Sequence, residues 1–183
     1  LEPIVFDDVG PGVRVELHGT TDLLVPAVGS LRLVARAADQ AASSARTLLS
    51  GFLTHVALAA AGRGLSDGHR AIVAHGDGKR RVRRFAPMAR EEARAYLEGL
   101  VVDLLSRVHD YLLPCEAVFA AEGGDVVAAA RALANDDRAH CGSSFGPVPH
   151  WRTYRPPPDG EARAMVLRRF GPFLAGQDEK AVP

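Results

Sequence analysis

The chain has 183 residues, of which 47% are hydrophobic, and it carries 22 basic and 22 acidic side chains. This length and composition predict a single domain, residues 1–183, whose core needs no disulfide or metal to stabilise it. Because the formal net charge is zero, the molecule as a whole does not attract a polyanion, and nucleic-acid binding requires a local cluster of charge.

No apolar run approaches the roughly 18 residues that a membrane-spanning helix needs, so we expect a cytoplasmic protein without a membrane partner. The two cysteines, Cys115 and Cys141, lie far apart and fit reduced thiols at least as well as one disulfide. The seven histidines show no metal-ligand spacing, and we expect neither a metal nor a cofactor. The chain opens on Leu1 instead of an initiator methionine, so we expect it to be a piece of a longer protein.

The first predicted elements are two strands. Residues 1–12 contain several prolines and glycines and are predicted to be an entry segment. Residues 13–18 and 31–36 alternate with the period of two that is typical of strands. Residues 19–24 between them are predicted to form a turn.

Two apolar-striped helices follow, with a basic hairpin between them. The first helix is predicted from Asp39, a plausible N-cap, to a stop at Gly62, because apolar residues recur at steps of three and four. Residues 70–75 and 80–85 are predicted as strands joined at the Gly-Asp-Gly turn 76–78. The second helix covers residues 93–113, and both helices are expected to cover the same sheet.

The pattern weakens after residue 114. Residues 116–121 fit a short strand or the start of a helix, residues 126–134 fit an Ala-rich helix, and residues 135–149 fit a loop. A last helix is predicted from Asp159 to about residue 170, where Gly171-Pro172 breaks it. The order of the elements predicts an α/β fold with a mixed central sheet flanked by helices.

The strongest chemical signal is the basic run on the second hairpin strand. In an extended strand alternate residues face opposite ways, so neither face of this run is wholly apolar. That arrangement suits a ribbon that faces phosphates, and it equally suits a charged edge that prevents sheet-to-sheet aggregation. The candidate DNA-binding residues are Lys79, Arg80, Arg81, Arg83 and Arg84.

Two aromatic residues, Trp151 and Tyr154, are weaker candidates for DNA contact. Their rings have the chemistry to stack on unpaired bases, although such a pair is more often part of a core.

A metal-dependent nuclease needs two or three carboxylates on a metal and a lysine beside the attacking water. Asp22 follows the first strand, but the strand 31–36 contains neither an acid nor a lysine. Acid-x-Lys steps do occur at residues 77–79 and 178–180, in the hairpin tip and the C-terminal tail. We therefore expect no catalytic residue, and Asp22 is more simply a turn residue.

The residues resemble one known family. Residues 47–62, TLLSGFLTHVALAAAG, resemble a helix of the exodeoxyribonuclease V gamma subunit (RecC), with the shape Leu, two variable residues, a bulky residue, Leu-x-His-Leu-x-x-x-Ala-x-Gly. Residues 112–116, the Trp-x-x-Tyr step 151–154 and residues 170–174 are similar to later segments of that family, in the same order. One departure is Leu-Leu-Pro-Cys at residues 112–115, where the family has Pro-Leu-Pro-Phe.

The resemblance implies a C-terminal nuclease-like domain of the PD-(D/E)XK, restriction endonuclease-like superfamily that has lost its metal site. It implies partners as well: forked or single-stranded DNA, a RecB-like helicase and nuclease subunit and a RecD-like helicase subunit. The parent complex would be the ATP-dependent exodeoxyribonuclease V, which serves double-strand break repair by homologous recombination. An active nuclease that uses Asp22, and a scaffold that binds only protein, stay open as alternatives.

Overall fold

The structure, a computed structural model, describes residues 2–35, 44–105 and 159–179, with the side chains of residues 44–46 and 159–166 outside the description. The chain divides into two compact units, of which the first comprises Leu1–Leu105 with Pro172–Pro183 and the second comprises Ser106–Gly171. The organisation of residues 1–183 as one domain stays a prediction.

The described elements form two sheets and three helices. In chain order they are β1 (Ile4–Gly10), β2 (Val13–Leu17), β3 (Leu23–Val25), β4 (Gly29–Val34), α1 (Ser44–Ala60), β5 (His69–His75), β6 (Arg80–Phe85), α2 (Arg90–Leu105), α3 (Asp159–Leu174) and β7 (Gln177–Glu179).

The larger sheet has the strand order β3-β4-β5-β6-β7. Strands β4 and β5 are parallel, with α1 as the crossover between them, and the other neighbours are antiparallel. A parallel pair needs such a crossover because a tight turn reverses the chain. The prediction of an α/β fold with a mixed sheet flanked by helices is therefore confirmed at this level.

Strand β5 shows which face of this sheet is the core. Its burial alternates, with His69, Ala71, Val73 and His75 buried. Helix α1 packs on this face and contacts β4, β5 and β6. The contact between helix and sheet is close at Gly51, where a Cβ would overlap the Cβ of Ala71.

Aromatic side chains hold α1, the sheet and the end of α3 together. The Phe52 ring, fully buried on α1, has its centre 5.1 Å from that of Phe85, 5.8 Å from that of Tyr96 and 5.7 Å from that of Phe173. Tilted and edge-on ring pairs at such distances are favourable beyond the area they bury. Helix α2 packs mainly against α1 and β1. The expectation that both helices cover the same sheet therefore holds for α1, whereas α2 lies mainly against α1 and the smaller sheet.

Residues 1–12, predicted only as an entry segment, contain strand β1. Strand β1 pairs with β2 as a separate two-stranded sheet and buries Ile4 and Phe6. Proline and glycine in this segment occur only at its two ends, where Gly12 adopts a φ of 70° in the turn, so they punctuate the strand without interrupting it. Arg94 of α2 donates to the Val5 carbonyl and lies 5.0 Å from the centre of the Phe6 ring.

Three other expectations differ from the structure. Helix α3 passes through Pro172 and ends at Leu174. A proline in a helix costs about 3 kcal/mol, and the full burial of the next residue, Phe173, offsets this cost. Strand β7 lies in the segment that was described as a C-terminal tail. Strand β3 begins within the predicted turn 19–24. It has only three residues, and its pairing with β4 stabilises it.

Helix α1 ends at Ala60, and Gly62, the predicted stop, follows two residues later with a φ of 73°. The predicted cap at Asp39 and the predicted elements at residues 106–113, 116–121, 126–134 and 135–149 lie outside the described residues.

Candidate nucleic-acid interface

Strand β7 divides the basic run of β6 into two parts. It pairs with Val82, Arg83 and Arg84, whereas β5 pairs with the whole of β6 from Arg80 to Phe85. Within the described residues, the predicted edge strand is therefore paired on both sides from Val82 to Arg84. Below, Lys79, Arg80 and Arg81 together are called the tip cluster.

Arg83 has the contacts of a structural residue. Its side chain is only 14% exposed, and its guanidinium donates to the carbonyls of Leu174 (3.2 Å) and Gly176 (2.9 Å) at the end of α3. It also forms an ion pair with Asp178 at 3.3 Å and lies over the Phe173 ring. These contacts satisfy carbonyls that a helix end leaves without intrahelical partners.

Arg84 is exposed and donates to the carbonyl of Asp67 at 3.2 Å. Its partner across the ladder, Arg70, forms an ion pair with Glu179 at 3.0 Å. The two acids of β7 thus lie against arginines of the sheet, Asp178 on Arg83 and Glu179 on Arg70. Both carboxylates of the acid-x-Lys step at residues 178–180 are therefore used in ion pairs that hold β7 on the sheet.

The tip cluster lies at the turn between β5 and β6, and all three of its side chains are exposed. Asp77 in this turn accepts the backbone N–H of Lys79 at 3.2 Å and forms an ion pair with its ammonium at 3.4 Å. Asp77 therefore shapes the turn, as short acidic residues commonly do. Gly78, with a φ of 81°, supplies the left-handed backbone that the predicted turn requires.

The register shows that the arginines of the tip cluster face opposite sides of the sheet. Arg81 is opposite Val73, which is buried on the α1 side. Arg80 is opposite Ala74, whose side chain belongs to the other face. The two residues therefore belong to different surfaces, although they are neighbours in sequence.

A further arginine, Arg32 of β4, joins this region and was not selected by sequence reasoning. It is exposed, and its ladder partner is Val73. Arg32, Val73 and Arg81 thus form one row across three strands on the α1 side. Only the pairing of β4 with β5 brings Arg32 there, and the sequence contains no signal for that pairing beyond the alternation of the strand.

Asp22, the residue proposed for the nuclease alternative, connects the loop after β2 to α1 through hydrogen bonds. Both of its carboxylate oxygens accept the Ser50 hydroxyl, at 3.1 and 3.0 Å, and its N–H donates to Thr54 Oγ1 at 3.3 Å. Across residues 2–35, 44–105 and 159–179, no three His, Cys, Asp or Glu side chains are grouped to hold a metal ion.

A pocket of about 390 Å³ lies beside this loop, between the β1–β2 hairpin and the helices. Its lining combines apolar side chains with hydroxyls and contains no arginine or lysine, so its chemistry does not favour a polyanion. The lining residues are Glu2, Ile4, Leu17, His18, Gly19, Thr20, Thr21, Ser50, Leu53, Thr54, Ala57 and Leu97.

Two buried histidines lie under α1. The imidazole of His69 is within 2.9 Å of the Ser30 hydroxyl, and its ring centre is 5.2 Å from that of His55. Burial, helped by the nearby His55, lowers the pKa of His69 to about 4. Burial also lowers the pKa of His55, against the opposing effects of a backbone hydrogen bond at Ala86 and of Glu92. Both residues are 1% exposed or less, so they belong to the core.

The stacking candidates Trp151 and Tyr154 lie outside the described residues, as do Cys115 and Cys141. No helix in the described part of the chain is long and apolar enough to cross a membrane. Comparison of the chain with protein-family models, curated proteins and solved structures finds no match.

Proposed function

We propose that this chain is a DNA-binding, non-catalytic domain of PD-(D/E)XK-like architecture that serves a RecBCD-type helicase and nuclease complex in double-strand break repair. Its partners in this proposal are forked or single-stranded DNA and RecB-like and RecD-like subunits, and its location is the cytoplasm. The observation that carries the proposal is the tip cluster: three exposed cations at the end of a hairpin.

The tip cluster has suitable chemistry for a DNA backbone. Consecutive phosphates attract exposed cations without regard to base sequence, and each contact adds to the salt dependence of binding. Lys79, Arg80 and Arg81 are exposed, whereas the side chain of Arg83 is mostly buried. We therefore assign the DNA contacts to the tip cluster and keep Arg84, which is exposed, as a peripheral contact.

The surroundings of the acidic residues support a non-catalytic domain. A nuclease metal needs carboxylates that are grouped and available. Asp22 accepts a serine hydroxyl, Asp77 binds Lys79, and Asp178 forms an ion pair with Arg83. Each candidate acid thus has a partner in the fold, and the three lie on different elements.

Two features support the resemblance to the gamma subunit family. The segment 47–62 that carries the strongest motif lies almost wholly within α1, where it packs on the sheet. The order of β3, β4, α1 and β5 is a hairpin followed by a crossover to a parallel strand, which is compatible with the mixed α/β sheet that the resemblance implies. The histidine of that motif, His55, is buried between the sheet and α1, and its ring is stacked on Phe85.

Binding of the whole 183-residue chain to fluorescein-labelled forked DNA, followed by anisotropy at several KCl concentrations, tests the DNA role. Replacement of Lys79, Arg80 and Arg81 by alanine should weaken binding at least about tenfold and reduce the salt slope by about 2, because Arg80 and Arg81 face opposite sides of the sheet. A matched triple variant, with alanine at the exposed Arg14, Arg63 and Arg90, removes the same charge elsewhere and should retain most of the affinity. Equal losses in the two variants would refute a specific DNA-binding surface.

Incubation with linear DNA and Mg²⁺ or Mn²⁺ tests the absence of catalysis. We expect no cleavage by the purified chain. Cleavage that disappears in Asp22→Ala would establish the nuclease alternative. Capture of a RecB-like subunit by a chain that does not bind DNA would instead establish the scaffold.

A further inference from the structure

We propose that Arg32 and Arg81 together form a phosphate-binding pair on the α1 side of the sheet, and that the DNA backbone crosses the carboxyl ends of β4 and β5 there. This inference rests on the proposed function and deepens it. It adds Arg32, from another strand, to the proposed DNA-binding residues. It also assigns Arg81 and its neighbour Arg80 to different faces of the sheet.

The register of the sheet places the pair. Arg32 and Arg81 are both ladder partners of Val73, one through the parallel β4–β5 pair and one through the antiparallel β5–β6 pair. Residues that pair across a ladder point to the same face. Because neighbouring strands are about 4.8 Å apart, the two arginine Cα atoms are about 10 Å apart.

This spacing suits a nucleic-acid backbone. Charges follow one another at about 3.4 Å along the axis of one DNA strand, so two long arginine side chains about 10 Å apart reach the same phosphate or phosphates close in sequence. Guanidinium groups bind phosphate oxygens through paired N–H donors. Both side chains are exposed, so binding requires no opening of the core.

The face around the pair contains one described acid, Asp178 of β7, which is the ladder partner of Arg83 and forms an ion pair with it at 3.3 Å. The ladder positions next to the Arg32–Val73–Arg81 row on β4, β5 and β6 are not acidic. These positions are Ser30, Val34, Ala71, His75 and Arg83. The pair also lies near the carboxyl ends of two parallel strands, Val34 and His75, which is the edge where open α/β sheets bind ligands.

Arg80 belongs to different surroundings. Its row on the opposite face contains Ala74 and Leu33, and Leu33 is 67% exposed. A backbone that lies along the Arg32 and Arg81 surface therefore does not contact Arg80 in the same way. This difference between two adjacent arginines makes the inference testable.

A double-mutant cycle on the whole chain tests the pair, with a fluorescein-labelled 20-residue oligothymidylate as the probe and anisotropy read at several KCl concentrations. We expect Arg32→Ala and Arg81→Ala each to reduce the salt slope by about 1. The double variant should bind at least about threefold more tightly than independent effects predict, because the two residues share phosphates. The Arg32→Ala, Arg80→Ala double variant should show independent effects.

Thermal unfolding of each variant should match that of the wild type, since the replaced side chains are exposed. Arg32→Lys should restore part of the affinity, because the charge is retained while the paired donors are lost. If the wild-type chain binds no oligonucleotide, both the proposed function and this pair are refuted. If the wild type binds and Arg32→Ala has unchanged affinity and slope, the pair is refuted while the DNA role stands.

Discussion

The guanidinium carbon of Arg83 lies 4.7 Å from the centre of the Phe173 ring, which joins β6 to the end of α3 across 90 positions of sequence. The same guanidinium donates to the Leu174 and Gly176 carbonyls. Arg83, which the sequence predicts as a DNA contact, therefore links two distant segments. Its replacement should reduce the stability of the fold more than the affinity for DNA.

Replacement of Arg83 by alanine should lower the free energy of unfolding by about 2 to 4 kcal/mol, because charge-assisted hydrogen bonds and a cation–π contact are lost from a mostly buried site. Urea unfolding measures this change. Arg84→Ala is the matched control, and its effect should stay below about 1 kcal/mol since that side chain is exposed. Equal stability of the two variants would contradict the structural role of Arg83.

Two glycines within helices should respond to alanine in opposite ways. Gly99 in α2 has nothing within 4 Å of an added Cβ, so Gly99→Ala should stabilise the protein by up to about 1 kcal/mol through helix propensity. At Gly51 in α1 the added Cβ overlaps Ala71 and lies 3.2 Å from Ser30 Oγ. Gly51→Ala should therefore destabilise the protein by about 1 to 3 kcal/mol. Thermal and urea unfolding decide the sign, and a stabilising Gly51→Ala would show that α1 packs less closely on β5.

Phe52 should be the most sensitive apolar residue of α1. Phe52→Ala removes a fully buried ring that contacts three other rings, and it should cost about 3 to 5 kcal/mol of unfolding free energy. The next residue, Leu53, is 42% exposed, and Leu53→Ala should cost much less. Urea denaturation of the two variants makes the comparison, and similar losses would mean that α1 is rotated from the orientation described.

Stability should fall between pH 6.5 and about pH 4. The pKa of His69 is about 4 in the folded protein and 6.5 without burial, so in this range the unfolded chain binds a proton that the folded chain does not. Protonation then favours unfolding, and the loss is about 1.4 kcal/mol per pH unit, or about 3 kcal/mol in all. Above pH 6.5 both states are neutral and the contribution is constant. The lowered pKa of His55 acts in the same direction.

Urea unfolding at pH 7.5, 6, 5 and 4.5 measures this slope. His69→Gln is the control, because its amide reaches the Ser30 hydroxyl in place of the imidazole nitrogen but does not titrate over this range. The variant should lose a large part of the pH dependence. An identical slope in the variant and the wild type would assign the dependence to other groups.

The local patterns of the sequence predicted most of the elements in the described ranges. Alternation predicted β2 and β4, the Gly-Asp-Gly turn predicted β5 and β6, and the apolar steps of three and four predicted α1 and α2. These patterns succeed because side-chain direction follows the backbone period within one element. Strand β1 was missed because proline and glycine at its ends dominated the interpretation, and β7 was missed because three residues are too short to show a period.

The sequence by itself determined the element types, the basic run and the lack of an acid on β4, since each depends on residues close together in the chain. Only the tertiary structure decided that Arg83 packs on Phe173, that Asp178 and Glu179 form ion pairs with arginines, and that Arg32 shares a row with Arg81. The physical reason is that strand pairing and register join residues far apart in sequence, and a shift of one residue would turn every side chain to the other face.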